Sequence, residues 1–493
     1  MTATKQQPSI DLTRSSIPAA VEIRQLPVLW QSMLLLAVAF TPGFATAQEP
    51  EKAIRNVLFI VADDLRASVL SCYGDVRCRT PNIDRLASES VVFTRAYCQG
   101  TVCGPSRTSF MYGRYRGKRS ATLGEHFREN DLYTARVGKI FHMRVPGDII
   151  AGTDGDDVPN SWTERFNSQG NEAHTPGDYA CMNQNIFTTE MDGRQSTKMP
   201  HRMFVSVKYD GDGHDQPDHK TASKTIELLQ KHGDEPFFIA VGFVRPHYPM
   251  VAPRQFFVHY PWTEMEVPEQ RVGDLDDIPK LGITNSRSAL NGIDRYPENQ
   301  QRMWAAYYAS VSFMDEQLGR VLLALDRLGL RKSTAIVFMS DHGYHLGDHT
   351  FWQKSNLHEQ VTRVPMMLSV PGYQPGRSVS IVELVDLFPT LCELTAVPIP
   401  DDIHGLSLVP ILRDNSHDVK DGALSFAKGA GWRTKDWSYM QYPDGTAELY
   451  DMNNDPGQFT NLVAAPDFAE TVKGMELQLQ AATVKFGLSA DLD

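Results

Sequence analysis

Cys103-Gly104-Pro105-Ser106-Arg107 puts a thiol, a proline and a guanidinium within about one helical turn. Pro105 suits the first helical position, so Ser106 to Met111 is expected to continue as helix with Cys103 at its N-terminus. Backbone N–H groups there favour negative charge, the setting that turns a thiol into a nucleophile. A buried structural cysteine, or one paired with Cys98, is the alternative that position leaves open. Asp63-Asp64 is a second signal. Adjacent carboxylates repel each other unless a cation lies between them, and hard divalent cations take carboxylate oxygens. A helix cap or a solvated turn would explain the same pair. Asp341-His342 has the same character far along the chain, and three carboxylates with an imidazole would make a metal cage.

These residues need elements that bring them together. Val57 to Ala62 is an apolar run ending on Asp63-Asp64. Phe237 to Val241 is another, followed by Arg245-Pro246-His247, and Ala335 to Met339 ends on Ser340-Asp341-His342-Gly343. Continuous apolar runs predict strands buried on both faces, as in a parallel sheet under helices. Trp304, Tyr308, Val311, Met314, Leu318, Val321, Leu325 and Leu328 recur at helical spacing before Gly329, which suits a C-cap. Asn82 to Ser90 is a shorter helix. The alternation predicts an α/β fold with a large, mostly parallel sheet, and ligands in such folds sit at the carboxyl ends of the strands. Polar residues follow all three runs, so one shared site is expected.

The stretch from Gly147 to Pro217 is rich in Gly, Asp, Asn and Pro and reads as long loops at the site's mouth. Trp162 and Tyr179 within it are candidates for packing on the flat face of a ligand, and His214 and His219 read as surface histidines. From about Ser416, short strands at Leu424 to Phe426, Trp437 to Tyr442 and Glu448 to Tyr450 precede a closing helix around Phe468 to Phe486. This predicts a small C-terminal α+β subdomain over 416–493, after a catalytic domain over 48–415.

The chain carries a formal charge of −12, which argues against a nucleic-acid partner. A local cationic cluster can still hold a small anion. Arg24, the apolar stretch Val28 to Phe40, Pro42-Gly43 and Ala45-Thr46-Ala47 read as an export signal over 1–47, too short for a stable membrane span. A periplasmic or secreted protein is expected. Six cysteines are too few for a disulfide framework at this length, although Cys72 and Cys78 are close enough to pair.

Cys-x-Pro-Ser-Arg resembles the signature of the type I sulfatases, in which the cysteine is oxidised to formylglycine. Gly138-Lys139-Ile140-Phe141-His142 resembles that family's second motif. Asp341-His342-Gly343 with Leu346-Gly347-Asp348-His349, and Leu449-Tyr450-Asp451 with Asp455-Pro456 and Asn461-Leu462, resemble later ones. Asp63-Asp64-Leu65-Arg66, Arg245-Pro246-His247, Tyr307-Tyr308-Ala309-Ser310-Val311 and His342 are similar to the iduronate-2-sulfatase branch. Tyr112, where the family usually has Thr, and Asp131-Leu132, where it usually has Gly-Tyr, depart from the pattern.

The resemblance implies an alkaline-phosphatase-like fold and hydrolysis of sulfate monoesters, with a sulfated saccharide as substrate. Asp63, Asp64, Asp341, His342 and the modified residue 103 would bind calcium, with magnesium as the alternative. Arg107 and Lys139 would hold the gem-diol of formylglycine. His142 would help expel sulfate, and His247 and Lys354 would contact it, one of them protonating the leaving oxygen. A formylglycine-generating or other sulfatase-maturing enzyme is then a required partner. Two competing readings are a phosphoester or phosphonate hydrolase of the same superfamily and a catalytically inactive carbohydrate-binding relative.

Overall fold

The three apolar runs form adjacent parallel strands. In the computed structural model, which describes residues 54–118, 121–194 and 198–488, Asn56–Asp63 pairs in parallel with Thr334–Ser340 on one side and Phe237–Pro246 on the other. All three strands are buried along their whole length. This is the condition that lets a strand be apolar on both faces. The export segment expected over 1–47 lies outside the described residues.

The full sheet has eight strands. Tyr133–Gly138 and Glu164–Phe166 extend it in parallel beyond Phe237–Pro246. On the other side Arg363–Ser369 runs antiparallel, followed by Val91–Tyr97 and Gly376–Glu383. Only Arg363–Ser369 opposes the others, so the expectation of a mostly parallel sheet holds. One face packs on the 31-residue helix Pro297–Arg327 and on Pro217–His232. The other packs on Cys103–Tyr112, Leu123–Glu129 and Leu387–Leu394. The long helix ends near Gly329, whose φ of +71° suits a chain reversal that other residues resist.

The stretch from Gly147 to Pro217 differs from the loops expected of it. It contributes Asp178–Cys181, Ile186–Thr188 and Val205–Tyr209 to a second four-stranded sheet, completed by Met250–Pro253. Strands of three to five residues leave too few alternations to be seen as a period. Trp162 and Tyr179 are buried rather than offered to a ligand. Trp162 stacks on Phe238 of the central sheet. His214 is exposed, as expected of it, and pairs with Asp212.

Four antiparallel strands, Ala423–Phe426, Ala430–Arg433, Trp437–Gln441 and Ala447–Asp451, precede the helix Ala469–Lys485. The second of them, with Gly431 at its middle, was not anticipated. The small sheet is tied to the central one where Ser425 Oγ donates to the Cys98 carbonyl. All six cysteines are free thiols. Among the described residues no helix is long and apolar enough to cross a membrane.

Candidate active site

Four neighbouring parallel strands deliver the site at their carboxyl ends. Asp63-Asp64 closes one, Asp341-His342 follows the second, His247 the third and Lys139 the fourth. Opposite them the helix Cys103–Tyr112 begins at Cys103 itself, two residues earlier than Pro105 suggests. Proline is tolerated there because first-turn amides have no helical acceptor to lose. Cys103 is 3% exposed and Arg107 fully buried one turn later.

All the residues singled out as a metal cage converge on the Cys103 sulfur. Its Sγ lies 3.4 Å from Asp63 Oδ1, 3.9 Å from Asp64 Oδ1 and 3.3 Å from His342 Nε2. Potential ligand atoms of Asp63, Cys103, Asp341 and His342 all fall within 4.8 Å of one another, as do those of Asp64, Cys103 and His247. The cations complete the arrangement. Arg107 bridges Asp341 at 2.8 Å and Asp63 at 3.1 Å. Lys139 Nζ is 2.5 Å from Asp63, and Lys354 Nζ is 2.5 Å from Asp64 and 3.1 Å from the sulfur.

The charges set each other's protonation. Burial alone would raise Asp63, but the cations Lys139, Arg107 and Lys354 hold it well below the usual carboxylate range. Burial pushes Asp64 up to about 7 despite Lys354. Burial and Asp63 raise the Cys103 thiol, yet Lys139 and Lys354 pull harder and leave it below its ordinary value. Burial drives His247 well below its usual value, so its imidazole is neutral, with Nδ1 held by the Tyr248 carbonyl at 2.6 Å. The His142 ring is likewise lowered, first by burial and then by Lys139, and its Nδ1 is buried without a hydrogen-bond partner.

The donor set suits a hard cation. Three buried carboxylates supply oxygens, and Asp64 Oδ2 is buried without a hydrogen-bond partner. Burial would lower the His342 imidazole, but Asp341 and its neighbours carry it up to about 9.

Several supports were not legible as site residues. Asp64 sits at φ +64°, and the hydroxyl of Tyr307 on the long helix donates to its carbonyl at 2.7 Å while accepting from the Arg66 amide at 2.9 Å. Asp218 accepts from the amides of Val244 and Arg245, and Glu172 pairs with the buried Arg245 at 2.9 Å, fixing the strand end that carries His247. Above the sulfur lies a cavity of about 450 Å³ lined by Cys103, His142, Arg144, Arg202, His247 and Lys354.

Comparison with known proteins bears on the family and the fold. Residues 55–397 match the sulfatase family, and residues 347–485 match the family described as N-sulphoglucosamine sulphohydrolase, C-terminal. The chain is 35% identical over 432 residues to iduronate 2-sulfatase of Mus musculus, covering 76% of this chain and 75% of that one. It is 30% identical over 444 residues to a sulfatase of Formosa agariphila, covering 82% of each. A solved phosphonate monoester hydrolase of Agrobacterium radiobacter superposes with a TM-score of 0.71 at 22% identity, over 88% of this chain and 96% of that one, and shares the fold. The chain belongs to the sulfatase family. It is a sulfuric ester hydrolase, similar to the iduronate 2-sulfatases.

Replacing Tyr307 by Phe leaves the Asp64 carbonyl and the Arg66 amide unpaired in a dry region. A loss of about 1–3 kcal/mol in stability is expected, read by chemical denaturation, together with slower sulfate release as Asp64 loses its anchor.

Proposed function

We propose that the protein removes O-sulfate groups from carbohydrates, uronic acids among them, using a formylglycine made from Cys103 and a bound calcium ion. The observation that carries this reading is the position of Cys103, on the floor of a cavity between the carboxylate cage and the cations Arg107, Lys139 and Lys354. Asp63, Asp64, Asp341, His342 and residue 103 would hold the calcium, which would polarise the sulfate oxygens. Magnesium is the alternative ion.

A sulfate monoester is anionic and repels nucleophiles, so charge neutralisation is the first requirement. Lys354 lies beside residue 103 and Lys139 just beyond it, so both stabilise charge that develops on sulfate during displacement. Arg107 holds Asp63 and Asp341 in place and, with Lys139, steadies the nucleophile. A hydrated formylglycine carries two hydroxyls. One hydroxyl would give its proton to a carboxylate of the cage as its oxygen bonds to sulfur and the ester S–O bond breaks, and the leaving alkoxide would take a proton of its own. His142 would then remove the proton of the second hydroxyl, the bond from carbon to the sulfated oxygen would break, sulfate would depart, and the aldehyde so formed would add water to restore the gem-diol. A plain cysteine or serine offers no second hydroxyl for that collapse.

The leaving oxygen's proton comes from Lys354 or His247. Lys354 remains charged, because Asp64 and Cys103 outweigh its burial. His247 faces Asp64 with Nε2 at 3.7 Å, and burial keeps it neutral before substrate brings its negative charge. Maturation implies a formylglycine-generating or other sulfatase-maturing enzyme as partner, and export implies periplasmic or secreted action. The carbohydrate assignment draws support from the 35% identity to a protein named iduronate 2-sulfatase.

Mass spectrometry of the peptide containing residue 103 is expected to show the sulfur replaced by an aldehyde oxygen, and Cys103→Ala is expected to abolish turnover with the fold intact. An unmodified thiol in fully active enzyme would overturn the assignment. Stripping divalent ions with a chelator should abolish sulfate release, and calcium should restore it. Recovery with zinc alone would point to a phosphoesterase-like centre instead. Proton transfer is tested by substrate choice. His247→Ala and Lys354→Ala are compared on a sugar sulfate and on nitrophenyl sulfate, whose leaving group needs no acid. Loss of the acid should cost about 10²–10⁴-fold more on the sugar, whereas equal losses on both substrates would mean that these residues only bind sulfate.

A further inference from the structure

Three cations line the cavity above Cys103, and two of them are already neutralised. Lys354 holds Asp64 at 2.5 Å, and Arg144 is paired with Asp148 at 2.7 Å. Arg202 has no carboxylate partner among the described residues, and its Nε is enclosed without a hydrogen-bond acceptor. An enclosed Nε left this way forfeits hydration without recovering it from the protein, which is unfavourable unless a ligand supplies the missing acceptor.

Arg202 is also held in place. Its guanidinium lies 5.7 Å from the centre of the Tyr248 ring, and that ring sits 4.2 Å from the ring of His247, which in turn faces Asp64. The short helical turn His201–Phe204 carries it. This ladder fixes a free positive charge on the cavity wall, separated from the sulfate-handling cations by two aromatic rings. The sulfate undergoing hydrolysis is already served by Lys354 and Lys139, so the charge on Arg202 answers to something else.

We propose that Arg202 is a specificity-determining residue that binds a second anionic group, a carboxylate or another sulfate, on the sugar that carries the scissile sulfate or on its neighbour. This rests on the reading of the site as a carbohydrate sulfatase and narrows its substrate to doubly anionic saccharides. The turn bearing Arg202 divides two cavities. Met199, Pro200 and Met203 on its other side line a second space of about 480 Å³, which shares Lys354 with the first and is bordered by Asn285, Asn291, Ser355 and Lys428. That extension, walled by both apolar and hydrogen-bonding side chains, has room for a further sugar ring, which a choline or simple aryl ester would leave empty.

The fork of a guanidinium matches a carboxylate or a sulfate through paired hydrogen bonds, and an ammonium does so less well. Contacts to a charged group of this kind are worth on the order of 10–100-fold in transition-state binding when the substrate is held for reaction.

The test compares three substrates on matured enzyme: a sulfated uronosyl disaccharide, the same compound with its carboxyl reduced to the alcohol, and a disulfated neutral disaccharide. Wild type is expected to favour at least one doubly anionic substrate over the reduced compound by about 10–100-fold in kcat/KM. Arg202→Ala should collapse that ratio to within a few-fold of unity, and Arg202→Lys should keep part of it. The preferred arm identifies carboxylate or sulfate as the group bound. If Arg202→Ala is unstable, Arg202→Gln against Arg202→Lys makes the same comparison. A ratio unchanged by loss of the guanidinium, or a wild type indifferent to the second charge, would overturn the proposal while leaving the sulfatase reading intact. Absence of sulfate release from every saccharide, with aryl sulfates still cleaved, would overturn the carbohydrate reading and this proposal together.

Discussion

Three carboxylates held almost in contact at zero exposure are the constraint from which the rest of the structure follows. Asp63, Asp64 and Asp341 would not stay folded side by side without compensation, because burial strips each of the water that would screen it. Arg107, Lys139 and Lys354 provide that compensation, and each must be brought from a different element. The helix N-terminus behind Cys103, the neighbouring parallel strand and the two-residue strand Trp352–Gln353 are therefore fixed relative to one another by charge as well as by packing. The same balance that makes the fold tolerable makes the site reactive. It gathers positive charge around one sulfur atom while keeping oxygens free for a cation.

The parallel sheet makes this economical. Strands side by side end side by side, so residues far apart in sequence meet without long excursions of chain. Gly138 and Gly242 show how tightly the ends are drawn together. A Cβ on Gly242 would fall 2.0 Å from the Lys139 carbonyl oxygen, and one on Gly138 would fall 2.2 Å from the Gly242 oxygen. Two glycines thus let the backbone that carries Lys139 lie against the strand leading to His247.

Much of this architecture was legible because the signals were long. The periodic face from Trp304 to Leu328 spans enough turns to identify a helix, and runs such as Val57 to Ala62 gained their meaning from the polar residues that close them. The cage residues could be named because each directly follows such a run or lies in a recognisable motif. The second sheet escaped because its strands are too short to show alternation. Tyr179 and Trp162 escaped because an aromatic in a polar stretch looks the same whether it faces a ligand or plugs a small core. Arg202 had no signal of its own, and the motif containing Tyr307 said nothing of what its hydroxyl holds. What distinguishes them is a missing partner in one case and two backbone partners in the other, and both are facts of three dimensions.

The burial of Cys103 also imposes an order on the protein's biosynthesis. Once the sheet has closed, no second protein can reach a sulfur that is 3% exposed beneath the cavity. The strand that brings His342 to the sulfur arrives late, since His342 lies 239 residues after Cys103 and the central strand Asn56–Asp63 has no neighbour on that side until Thr334–Ser340 is made. At about 5–20 residues per second of synthesis, this leaves on the order of 10–50 s in which the segment around Cys103 exists but cannot be folded away. The long sequence separation that delays assembly of the sheet thereby also delays the burial of the thiol until most of the chain exists.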